Sequence, residues 1–224
     1  MAPLTSCLVS GIFAIEGGRR ETEKPFYVTY LSTLDFVDPE NFLDVSVRNY
    51  SPLTEGLYAD GSLVFMVAKA AFLSESNGML ESVYCVPFDD SMSDDYLPFS
   101  TTKVASVTGA VTSVNNGVPN QSFALSVTAY ICGDQSFHIR FVMQVIFDPS
   151  LSLTYHSSFE YNGTSKRWRN TRLPLVGSMV VAIGTFKRVS REGCILELLD
   201  ITFGPLEATP VSPTRSIRYH KTNK

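Results

Sequence analysis

Along most of the chain apolar and polar residues alternate one by one rather than recurring every third or fourth position, the pattern of half-buried β-strands. After Pro25, Phe26, Val28 and Tyr30 fall on one side and Tyr27, Thr29 and Leu31 on the other. From Phe42 to Tyr50, Leu43, Val45 and Val47 oppose Asp44, Ser46 and Arg48. Further on, Phe123, Leu125, Val127 and Ala129 alternate with Ala124, Ser126, Thr128 and Tyr130. In the next stretch Phe137, Ile139, Phe141, Met143 and Val145 alternate with His138, Arg140 and Gln144. A period of two with one apolar set predicts strands packed on a core by one face and exposed on the other.

The pattern is written twice. Gly61 to Phe72 is answered by Gly177 to Phe186, and each runs through a polar loop into a second apolar strand, Gly78 to Val86 and Gly193 to Ile201. The matching glycines give hairpins that differ by one residue in length. Ahead of each hairpin stand an apolar run, Leu8 to Ile15 or Val104 to Val114, and two alternating strands; Thr108-Gly109-Ala110 is matched to Ser10-Gly11-Ile12. The predicted organisation is therefore a duplicated five-stranded unit. Residues 1–90 form the first copy, an Asp-rich stretch at 91–101 the linker, 102–206 the second copy and 207–224 a basic tail. The second copy carries an insertion in which Leu151, Leu153, Tyr155, Phe159 and Tyr161 alternate before Asn162-Gly163 turns the chain into Lys166-Arg167-Trp168-Arg169; this predicts a β-hairpin over 150–170.

Val, Phe, Tyr, Thr and Ser outweigh helix formers, and 44% apolar content is ample for a packed core in 224 residues. Cys7, Cys85, Cys132 and Cys194 are scattered without a CxxC or Cys/His cluster, which points to reduced thiols in an intracellular setting and to no metal site. Leu8 to Ile15 lacks a basic leader and reads as a strand, and the sequons at Asn49, Asn120 and Asn162 read as chance matches. Charge is divided unevenly: residues 1–100 hold 5 Lys+Arg against 15 Asp+Glu, and residues 101–224 hold 13 against 7. The halves thus face different partners. No GxSxG, GxxxxGK, GxGxxG or HExxH occurs, and His138, His156 and His220 are far apart, so the expectation is a non-enzyme without cofactor.

A five-strand order of meander followed by closing hairpin, present twice, resembles the OB-fold, and in its pairing resembles the tandem OB modules of replication-protein-A-like single-strand DNA-binding proteins. The resemblance implies an all-β fold of two tandem five-stranded OB-like Greek-key barrels, the second with an inserted hairpin. It also implies a ligand face on strands two and three, flanked by the loops between strands one and two and strands four and five. In the second copy that face would offer Tyr130, His138, Arg140 and Gln144, and the closing-hairpin loop Lys187, Arg188 and Arg191. Lys166, Arg167 and Arg169 would add phosphate contacts and Trp168 a stacking platform. The implied function is non-catalytic binding of single-stranded nucleic acid, DNA foremost, in the nucleus.

Blander readings stand beside these. Trp168 also fits an edge-packed ring among solvated cations, His138 an ordinary surface histidine, and Arg19, Arg20 and Lys24 a loop ion-paired with Glu16, Glu21 and Glu23. A jelly roll or other single sandwich is the structural rival. The functional rival is a structural protein that self-assembles through β edges and complementary acidic and basic halves. A protein partner on the acidic first copy, or a homo-oligomer, completes the expected contacts.

Overall fold

The computed structural model describes residues 5–37, 41–72, 74, 76–88, 102–116, 120–131, 135–146, 172–190 and 193–204. Within them lie ten strands and no helix: β1 Ser6–Arg20, β2 Tyr27–Asp35, β3 Phe42–Tyr50, β4 Ser62–Phe72, β5 Asn77–Pro87, β6 Val104–Asn115, β7 Asn120–Ile131, β8 Gln135–Ile146, β9 Met179–Ser190 and β10 Gly193–Phe203. The hairpin expected at 150–170 lies outside the described residues.

β1 pairs antiparallel with β2 and β4, β2 with β3, β3 runs parallel to β5, and β5 closes antiparallel on β4. β6 to β10 repeat every one of these pairings, including the parallel one between β8 and β10. Each set closes a five-stranded barrel in the order 1-2-3-5-4-1, which is the OB-fold, and the chain contains it twice. The alternation seen in the sequence supplies the interiors: Val28, Tyr30, Leu34, Leu43, Val45 and Val47 are buried in the first barrel, and Phe123, Leu125 and Val127 in the second.

The two copies share hydrogen bonds as well as strand order. Gly61 and Gly177, with φ of 82° and 87°, donate from N to the carbonyls of Ile15 (3.0 Å) and Val111 (2.8 Å). At the other end of the same hairpins, Phe88 N donates to Leu63 O and Gly204 N to Met179 O, both at 2.9 Å. Each β4–β5-type ladder skips one residue at the same place, Val83 in the first and Leu199 in the second, and both side chains are exposed. A bulge leaves the extra residue unpaired and adds twist, which a strand needs in order to wrap a small barrel.

This register changes two alignments. Asn77, not Gly78, is the counterpart of Gly193, so the hairpins are equal in length. Ile15 and Val111 are equivalent, so Gly109 stands where Phe13 stands, not where Gly11 does. Phe13 fills the first barrel; a Cβ at Gly109 would lie 2.7 Å from Ser126 O, because β6 and β7 approach too closely there for any side chain. The first strand is also longer than its apolar run. It bends at Gly17 (φ 65°), between the Glu16 and Arg19 pairings, and continues to Arg20, passing from β4 to β2.

The barrels are fused. Ser6–Ser10 of β1 pair antiparallel with Val104–Thr108 of β6, and one apolar cluster runs through both interiors by way of Cys7, Ala105, Val107 and Cys194. Val37 N donates to Phe186 O at 2.7 Å, the Phe72 and Phe186 rings meet edge to face, and Thr5 Oγ1 donates to Thr128 O at 3.0 Å. Lys103, 3% exposed, crosses Gly11 and ends on the Asp35 carboxylate, with its ammonium 5.3 Å from the centre of the Phe13 ring.

Candidate functional site

An OB barrel presents its ligand face on the outer side of strands two and three. In the first barrel that face is a set of cross-strand rows. Glu16, Leu31, Ser46 and Met79 lie directly opposite one another on β1, β2, β3 and β5, and Thr33, Asp44 and Asn77 form the next row. Together with Ser74 of the β4–β5 loop they line a groove of about 950 Å³. Its rim and floor mix exposed Leu31, half-buried Met79, hydroxyls and two exposed carboxylates, Glu16 and Asp44.

Beyond Ser46 the face closes over Arg48. Its guanidinium donates to Glu21 at 2.5 and 2.9 Å, lies 3.5 Å from Glu81 and stacks on Tyr27 with Cζ 3.6 Å from the ring centre. Lys69 reaches the other oxygen of Glu81 at 3.5 Å. The hydrogen bonds from Arg48 hold the Glu21 carboxyl below the usual carboxylate range. Tyr50 stacks on Phe26 and meets Tyr27 edge-on, so this end of the face is aromatic; Arg48 is 7% exposed, and Arg19, opposite Thr29 in the same row, is exposed. Arg20 has a different role from the ion pairing expected: it donates to the carbonyls of Pro25, Ser51, Pro52 and Glu55 at 2.7–3.1 Å and clamps the loop after β3.

The second barrel builds the same face from other residues. Along β8, His138 pairs with Thr128, Arg140 with exposed Ser126, and Gln144 with Ser122 on one side and Glu197 on the other. Tyr130 pairs with Ser136 near the far end of β7. Lys187 is half-buried and skipped in the β9–β10 ladder; Arg188 is exposed and pairs with Ile195, which pairs in turn with Val142. Arg188 is thus two strands away from β8, in the row of Val142 and next to the row of Arg140. Lys166, Arg167, Trp168, Arg169 and Arg191 lie outside the described residues.

The structure therefore brings His138, Arg140, Gln144 and Arg188 to one region and sets Tyr130 at its margin. The groove residues of the first barrel, Glu16, Leu31, Asp44 and Met79, were not among the sequence candidates. Their polar-face alternation was visible, but their convergence depends on the register of four strands. Among the described residues no group of His, Cys, Asp and Glu has metal-holding geometry.

No protein-family model matches the chain, and no curated protein matches it in sequence. Among solved structures it is similar to a deletion mutant of the single-stranded DNA binding protein from Thermus aquaticus, at 10% identity and a TM-score of 0.48, covering 93% of this chain and 98% of that one. It is also similar to the p204 HINb domain, at 11% identity and a TM-score of 0.26, covering 87% and 95%. A murine DNA binding protein bound with double-stranded DNA gives 8% identity and a TM-score of 0.21 over 88% and 94%. At these scores the fold assignment stands on the chain's own strand order and register.

Proposed function

We propose that the chain binds single-stranded nucleic acid, DNA foremost, through residues 102–206, without catalysis and in the manner of the tandem OB modules of replication-protein-A-like proteins, in an intracellular, nuclear setting. The supporting observation is Arg140: it occupies the middle of the strand-two/strand-three face of the second barrel, where the first barrel has Asp44. Arg188 one row away, His138 and Gln144 on the same strand, and Lys166, Arg167, Arg169 and Arg191 in the neighbouring sequence supply the phosphate contacts. Trp168 and Tyr130 supply stacking surfaces, each worth about 1–3 kcal/mol per base.

The test is fluorescence anisotropy of a labelled oligothymidylate on the full chain across a salt series. Affinity should fall steeply with salt, and Arg140→Glu or the triple change of Lys166, Arg167 and Arg169 to Glu should weaken binding and flatten the salt slope. Affinity insensitive to salt, or unaltered by both variants, overturns the reading.

A further inference from the structure

We infer that the groove of the first barrel is a docking site for a cationic peptide segment of a partner protein, one that places an apolar side chain between basic ones. The groove is at the upper end of the size of ligand clefts, about 300–1,000 Å³. Glu16 and Asp44 are the charged side chains among the described residues that line it, and both are exposed and in adjacent rows. Leu31, 56% exposed, stands between them, Met79 lies in the same row across Ser46, and Thr33, Ser46 and Asn77 offer hydrogen-bonding groups along the floor.

A phosphate chain laid here would meet two carboxylates. Of the two arginines on this face, Arg48 is held by Glu21, Glu81 and the Tyr27 ring, and exposed Arg19, opposite Thr29 in the same row as Arg48, stands outside the groove lining. A simple cation would leave the exposed leucine and most of the volume unused. A peptide satisfies all three features: its basic side chains pair with Glu16 and Asp44, its apolar side chain covers Leu31 and Met79, and its backbone meets the polar floor. The acidic balance of residues 1–100 attracts such a segment from a distance. The surface is separate from the face assigned to nucleic acid, so either assignment can fail alone.

The experiment measures anisotropy of a fluorescein-labelled synthetic peptide, one leucine flanked on each side by two lysines, on the full chain at low salt. Saturable binding is expected. Glu16→Gln with Asp44→Asn should weaken it about tenfold or more, and Leu31→Ser about threefold or more, with circular dichroism melts like those of the parent chain. The two single carboxylate variants, each giving a partial loss, serve if the double variant folds poorly. Arg140→Glu should leave the peptide affinity unchanged, which separates this site from oligonucleotide binding. Equal affinity for the parent and the carboxylate variants, or for the leucine peptide and one with serine in its place, overturns the inference.

Discussion

Asp44 and Arg140 hold the same place in the two barrels. Each immediately precedes the residue, Val45 or Phe141, whose partner on the parallel strand is Gly78 or Cys194, and those partners are equivalent in the duplicated hairpin. Each is paired on its other side with a hydroxyl residue, Thr33 or Ser126. The two barrels therefore carry residues of opposite charge at equivalent positions on strand three. Exchanging them should move affinity for a polyanion from one face towards the other. Arg140→Asp is expected to weaken oligonucleotide binding about tenfold and to lower the salt slope by about one. Asp44→Arg in the intact chain is expected to strengthen binding and raise the slope. Anisotropy titrations over a salt series read both; equal slopes for the two variants would separate this pair from binding.

The strand faces were legible because a two-residue period survives any register: Val28 and Tyr30, or Leu43, Val45 and Val47, can point only one way together. The duplication was legible because Gly61 and Gly177 are both turn glycines at positive φ. What sequence could not supply was anything set by pairing between distant strands. The row Glu16–Leu31–Ser46–Met79 joins residues that are far apart in the chain, so the groove emerged only with the strand order. Arg20 was misread for a similar reason. Its sequence neighbours are glutamates, but β1 continues through Gly17 and delivers it to carbonyls after β3. The charge division between halves was visible from composition, but not that Asp44 and Arg140, of opposite sign, occupy equivalent positions.

Glu21 makes stability depend on acid. Its carboxyl is held below the usual range chiefly by the Arg48 hydrogen bonds, so its stabilising contribution is fully present above the unfolded-chain value of about 4.3 and is lost as pH falls through the folded value. Glu21→Gln should cost about 1–2 kcal/mol in urea denaturation at pH 7, with the gap from the parent chain narrowing below about pH 4. A gap of constant size from neutral to acid pH would mean that the carboxylate charge is not the cause.

Close backbone approach makes some glycines irreplaceable. At Gly109 a Cβ would sit 2.7 Å from Ser126 O, and at Gly184 2.5 Å from Glu197 O, both backbone oxygens of a paired strand that cannot swing aside. Gly177 has open space but a φ of 87°. Alanine should therefore cost about 1–2 kcal/mol at Gly177, from backbone conformation alone, and more at Gly109 and Gly184, where the ladder itself must separate. Thermal melts of the three variants give the order directly.

The shared core predicts that the barrels unfold together. Barrels joined by a loose linker would melt as separate units, but here β1 and β6 pair across the junction and buried Cys7, Val107 and Cys194 belong to one apolar cluster with both interiors. Lys103 adds a tie between the start of β6 and the end of β2, with its stem packed on Gly11. Calorimetry should show a single transition whose calorimetric and van't Hoff enthalpies agree. Lys103→Met keeps the stem and removes the ammonium, so it should shift that transition down without splitting it. Lys103→Ala, which also removes the stem over Gly11 and beside Phe13, should shift it further. Two resolved transitions in the unaltered chain would show that the β1–β6 ladder does not couple the barrels.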